Sequence, residues 1–129
     1  MANINVLIAV DTKSTLAGTT IVYMEDDNPT EDTGEGTSEL VANVDPGDTI
    51  IWRATSINQS DTVALTEFND ESGNVFGNGG SAPSNNGDGS WTGTVGSYSS
   101  GTEESYTFSF SINGSGSYSW DPKIVIKTS

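Results

Sequence analysis

The sequence predicts an all-β fold, an antiparallel β-sandwich of about seven or eight strands, and three observations carry that expectation. Apolar residues make up 33% of the chain and charged residues 17%. Gly, Ser, Thr and Asn therefore fill much of the remainder, and they favour turns and exposed strand faces over helix. Apolar residues also recur with period two: Tyr106, Phe108, Phe110 and Ile112 alternate with Ser105, Thr107, Ser109 and Ser111, as when one strand face packs on a core and the other meets water. Third, turn chemistry separates such runs. No helix of useful length is visible, and 129 residues fit a single domain spanning 1–129.

Taken in order, Ile4 to Val10 places Ile4, Val6, Ile8 and Val10 on one face and Leu7 and Ala9 on the other, which suits a central strand covered on both sides. Thr19 to Met24 is a second strand. It runs into an acidic stretch holding Glu25, Asp26, Asp27, Glu31, Asp32, Glu35 and Glu39 with no basic residue, expected to be a solvated loop. Ser38 to Val44 is the next strand, and Asp45-Pro46-Gly47-Asp48 is a corner, with Pro presetting the turn and Gly accepting positive φ. Thr49 to Ile57 and Thr62 to Phe68 follow, separated by a short polar turn. Asn69 to Gly89 is expected to be a long loop, interrupted by Val75, Phe76, Ala82 and Pro83. Trp91 to Val95 is a short strand. After the alternating run, Asn113-Gly114-Ser115-Gly116 turns the chain into Tyr118 to Lys127, where Asp121-Pro122 is expected to mark a bulge or a switch between sheets.

The net charge is −14, with 18 acidic residues against Lys13, Arg53, Lys123 and Lys127. That balance argues against nucleic acid and anionic membrane surfaces as partners. No apolar run approaches the ~20 residues of a membrane helix. The N-terminal apolar stretch lacks a basic start and a small-residue cleavage pattern, so it reads as a strand and the expected location is cytoplasmic.

With no His and no Cys, the usual nucleophile–base pairs cannot be built, and no enzymatic activity is expected. Glu103-Glu104 and Asp70-Glu71 are sequence neighbours that a strand would point to opposite faces, so neither pair suggests acid–base work. No cofactor is expected. Calcium is the ion that the loop oxygens of Glu25-Asp26-Asp27 and Asn85-Asn86-Gly87-Asp88 suit best, although neither follows an EF-hand pattern. One polar cluster stands out as a ligand or structural site: Arg53, Trp120 and Asp121. Arg53, the only arginine, lies in an expected core strand and calls for an acidic partner such as Asp121 or Glu67, or a carboxylate-bearing ligand. Trp120-Asp121 could grip a glycan, or the indole could pack at a strand kink.

Three segments carry a family likeness. Ile4-Asn5-Val6-Leu7-Ile8-Ala9-Val10-Asp11-Thr12, then the block from Val44 through Asp45-Pro46-Gly47-Asp48 and Trp52-Arg53 to Ser56, then Gly116-Ser117-Tyr118-Ser119-Trp120-Asp121-Pro122-Lys123-Ile124-Val125-Ile126 together resemble the bacterial AidA/PixA inclusion-body protein family in order and spacing. The resemblance implies cytoplasmic proteins that accumulate as inclusions, with no established catalytic activity, and hence a homo-oligomer or higher self-assembly. A calcium-assisted, carbohydrate-binding module is the alternative. The Pro46-Gly47-Asp48-Thr49-Ile50 corner also resembles that of cupredoxins, so an Ig-like or cupredoxin-like topology is expected without copper, whose His and Cys ligands are lacking.

Overall fold

Alternation decides which way each strand faces. On β1 (Asn3–Val10), Ile4, Val6, Ile8 and Val10 are buried while Asn3, Asn5 and Leu7 are exposed. Nine further strands follow in the computed structural model, which describes residues 3–18, 21–26, 41–58, 60–72, 75–87, 89–99, 101–120 and 123–126. They are β2 (Val22–Asp26), β3 (Val41–Val44), β4 (Thr49–Ser56), β5 (Val63–Ser72), β6 (Ser81–Asn85), β7 (Ser90–Thr94), β8 (Glu103–Ile112), β9 (Ser115–Trp120) and β10 (Lys123–Ile126). One short helix, α1 (Thr12–Leu16), follows β1 and is capped by Asp11, whose side chain accepts the Ser14 amide proton.

The strands form an all-β sandwich. Sheet A has the order β2-β1-β4-β7-β6, and sheet B has β3-β10-β8-β5 with β9 also on β8. Pairing is mixed, where the sequence suggested an antiparallel arrangement: β1 runs parallel to β4 over its whole length, and β10 runs parallel to β3. The parallel pairs arise because the chain crosses between sheets at the Asp45–Asp48 corner and re-enters sheet A beside β1. Gly47, at φ 88°, makes that corner and donates its amide to Val95 O.

The core has two chemistries. Sheet A contributes mainly aliphatic side chains, namely Ile4, Val6, Ile8, Val10, Val22, Met24 and Ile50, together with Trp52 and Trp91. Sheet B contributes Tyr106, Phe108, Phe110, Trp120, Ile112, Ile124 and Leu65. Phe108 is the hub: its ring centroid lies 5.2 Å from Trp52, 5.4 Å from Phe68, 5.6 Å from Trp91 and 6.1 Å from Trp120.

Asn69 to Gly89 is not one long loop. β5 continues to Ser72, β6 occupies Ser81–Asn85, and Val75 and Phe76 are buried between them. Phe76 meets Trp52 and Phe68 edge-on, so the polar stretch delivers two apolar side chains into the core. This segment lies so close to the residues that follow β7 that a Cβ on Gly96 would collide with Gly77 O. The acidic stretch begins at the end of β2, and its remainder, from Asp27 onward, lies outside the described residues. Asp121 and Pro122 also lie outside them, but the flanking pairs are informative. Phe108 pairs with Trp120 and Ser105 with Lys123, three positions on along both strands, so the chain resumes on the same neighbour in the same register. β9 and β10 thus share the neighbour β8 in sheet B, and the bulge or switch expected at Asp121-Pro122 itself lies outside the described residues. At the other end of β9, Asn113 (φ 52°) and Gly114 (φ 79°) form the two-residue, positive-φ hairpin turn that an Asn-Gly pair favours.

Candidate functional site

Of the three residues singled out by sequence, Arg53 and Trp120 point to opposite faces of their sheets, one outward and one inward. Arg53 is exposed on the outer face of sheet A, where the sequence placed it in a core strand. Trp52 takes the inward position, and the pleat turns its neighbour to solvent. The exposed guanidinium needs no buried counter-charge, and Glu67, one of the partners suggested for it, is on β5 of sheet B, where it accepts a hydrogen bond from Asn69. Trp120 faces inward, stacked on Phe108 with its Nε1 donating to Met24 Sδ at 2.9 Å. Its indole is a core element and offers no open platform to a sugar. Asp121 lies outside the described residues.

Around Arg53, the outer face of sheet A is partly apolar. The register sets Leu7 beside Arg53 on one side and beside Glu25 on the other, and Ala9 between Tyr23 and Thr55. Leu7 and Tyr23 are each 41% exposed, and Ile57, just past β4, is 51% exposed. The sequence read β1 as covered on both faces, and among the described residues only one face is covered. By contrast, the outer face of β8 presents Ser105, Thr107, Ser109 and Ser111.

A second feature lies at one end of the sandwich, where α1 meets the β4–β5 connection. Thr12 is fully buried, and its hydroxyl lies 2.6 Å from Asp61 Oδ2, 2.8 Å from Asn58 Oδ1 and 3.0 Å from Ser56 Oγ. The backbone amide of Lys13 also donates to Asn58 Oδ1, and Asn113 Nδ2 donates to Asp61 Oδ1 at 2.8 Å. Hydrogen bonds from Thr12 and then Asn113 favour the charged carboxylate and hold the Asp61 pKa below its ordinary 3.8. Outside this network Lys13, Leu16, Asn58, Ser60 and Asp61 line an open hollow of about 400 Å³.

Of the residues considered for calcium, Asp27 and Asp88 lie outside the described residues, and Asn86 donates its Nδ2 to Ser90 and Thr92. Among the described residues no group of three or more His, Cys, Asp or Glu could hold a metal ion.

Sequence reasoning missed one buried acid. Glu104 is fully buried, and its Oε1 accepts the Val75 amide proton at 2.8 Å, tying the Val75–Phe76 segment to β8. The signal was parity: 104 belongs with 106, 108, 110 and 112, the inward set of β8.

A family profile described as a domain of unknown function, DUF8788, matches residues 2–118. No curated protein matches the chain. Among solved structures, the crystal structure of an inclusion body protein, PixA, from Burkholderia cenocepacia J2315 matches with a TM-score of 0.76 and 15% sequence identity. That match covers 97% of this chain and 95% of that one. The three segments that resembled the AidA/PixA family form β1, the β3–β4 corner with β4, and β9–β10, and so include both strands of the β1–β4 parallel pairing and one strand of the other. The chain belongs to the DUF8788 family, and its fold is that of the PixA inclusion body protein.

Proposed function

We propose that the protein is a non-enzymatic, self-associating component that accumulates to high density in the bacterial cytoplasm. The observation that carries this reading is β1. Its sequence pattern is that of a strand buried on both faces, yet Leu7 on its second face is 41% exposed in the single chain. The fold likeness to a protein described as an inclusion body protein supports the same reading. A net charge of −14 opposes close packing, so assembly is stabilised by salt, divalent cations or mild acid, each of which reduces self-repulsion. Size-exclusion chromatography with light scattering, run with calcium and with a chelator, tests this. The expected result is a mass that rises with protein concentration and ionic strength, and a monomer under every condition would overturn it.

The hollow beside Asp61 supports a second reading, a small polyhydroxylated ligand held by Asn58, Asp61 and Lys13. A ligand that binds only the folded state raises the melting temperature. No shift across a panel of glycans, with and without calcium, would remove this reading.

A further inference from the structure

We infer that Asn78 is the site of a spontaneous covalent modification, deamidation through a succinimide, and that the fold protects the other two Asn-Gly pairs from the same reaction. The sequence holds three such pairs, Asn78-Gly79, Asn86-Gly87 and Asn113-Gly114, and a glycine, having no Cβ, leaves the approach to its own amide nitrogen open. That nitrogen, its proton taken by hydroxide or a buffer base, attacks Cγ of the preceding asparagine. The new N–Cγ bond closes the succinimide ring as the Cγ–Nδ2 bond breaks, and Nδ2 takes a proton from water and leaves as ammonia. Water then opens the ring at either carbonyl, giving aspartate or isoaspartate. Nothing is oxidised or reduced, and water and base are the only co-reactants.

The pairs differ in how firmly the side-chain amide is held, because Cγ must swing onto the next nitrogen before the ring can close. Asn86 donates Nδ2 to Ser90 Oγ at 3.0 Å and to Thr92 Oγ1 at 2.7 Å, and the Gly87 amide that would attack it donates to Asn85 Oδ1 at 2.8 Å. Asn113 accepts the Thr62 amide proton on Oδ1 at 2.9 Å and donates Nδ2 to the Asp61 carboxylate at 2.8 Å, a charge-assisted bond. Among the described residues Asn78 has one side-chain bond, from Nδ2 to Ser97 O at 3.3 Å, longer than an ordinary N–H···O contact. Asn78 and Asn113 make the sharpest comparison. Both are exposed, their φ angles are 46° and 52°, and each precedes a glycine at positive φ, so the side-chain clamp, not φ, separates them. Reaction at Asn78 removes the donor that bonds Ser97 O and adds one negative charge to a chain already at −14. It does so two residues after Phe76, in the segment that delivers Val75 and Phe76 to the core.

The test incubates the wild-type protein at mildly alkaline pH and follows each pair by peptide mapping, with isoaspartate detected by an isoaspartyl methyltransferase. A parallel sample in denaturant gives the unprotected rate of each pair, and each folded rate is divided by it. Asn78 is expected to react first, with Asn86 and Asn113 at least about fivefold slower on this scale, the population cost of breaking one or two further hydrogen bonds. Asp61→Ala removes the acceptor of Asn113 Nδ2. With melting temperature as the folding control, it should speed reaction at Asn113 and leave Asn78 unchanged. Equal normalised rates at the three pairs, or either of the others ahead of Asn78, overturn the inference. An Asn113 rate that the folded Asp61→Ala variant leaves unchanged overturns the clamp as the source of protection. The wild-type comparison stands without the variant, and neither depends on self-association.

Discussion

The two sheets solve the same burial problem with different chemistry, and the contrast extends to their outer faces. Sheet A is largely aliphatic inside, through Ile4, Val6, Ile8, Val10 and Ile50, and partly apolar outside, through Leu7 and Tyr23. Sheet B is largely aromatic inside, through Tyr106, Phe108, Phe110 and Trp120, and lined with Ser and Thr outside along β8. Sheet B also takes a carboxylate, Glu104, into its inward set. The Ser and Thr side chains there are half-buried or, at Ser109, buried, and present hydroxyls in place of apolar surface. An apolar face around a single arginine is costly to leave hydrated, and the difference points to sheet A as the surface that a second molecule covers.

The largest effect is expected on the aromatic side of the core. Phe108→Ala removes the ring that touches Trp52, Phe68, Trp91 and Trp120, and denaturant unfolding should record a loss of about 3–5 kcal/mol. Ile8→Val, on the aliphatic side, should cost only about 0.5–1.5 kcal/mol. Equal losses would mean that the core does not centre on Phe108.

Glu104→Ala strands the buried Val75 amide and should cost about 1–3 kcal/mol. Glu104→Gln keeps an acceptor oxygen and should cost less. If the two variants are equally destabilised, the hydrogen bond to Val75 is not what retains the acid in sheet B.

Outside the core, Leu7→Glu and Thr107→Glu compare the two outer faces directly. Leu7 is 41% exposed and Thr107 half-buried, so melting temperature serves as the folding control for both variants. Only the Leu7 variant should lose association in light scattering. A loss from the Thr107 variant instead would move the interface to sheet B.

The smallest effect concerns Asp61, whose pKa is depressed by its hydrogen bonds from Thr12 and Asn113. A carboxyl with a folded pKa below its unfolded value contributes stability that is fully present above the unfolded value, near 3.8, and is lost as pH falls through the folded one. Asp61→Asn should therefore lower stability slightly in the neutral region and flatten the acid limb below about pH 4, where the two profiles converge. Melting temperature measured from pH 2 to 7 tests this, and parallel profiles for the two proteins would contradict it.

Much of the fold was legible because period-two alternation reports local geometry. Tyr106 to Ile112 showed which face is buried, and the same parity held the position of Glu104, obscured only because its neighbour Glu103 made the pair look solvated. The parallel pairings were not legible. They depend on residues such as Val6 and Trp52 meeting across the sequence, and no local pattern distinguishes a strand that returns parallel from one that returns antiparallel. Val75 and Phe76 were visible as the apolar interruption of a polar stretch, but only the tertiary structure shows that they fill the core. For the candidate site, Leu7 and Ala9 mark β1 as two-faced, and what sequence could not show is that Leu7 stays 41% exposed. Arg53 stands out in sequence by its rarity, and the parity of β4, with Trp52 inward, is what turns it to solvent.

The most direct test of the central claim is the mass of the wild-type protein by light scattering as concentration and salt are raised together, with a chelator present. Self-association through the outer face of sheet A requires the mass to climb above that of the 13.5 kDa chain as screening relieves the −14 charge. A mass that stays at one chain throughout would contradict it.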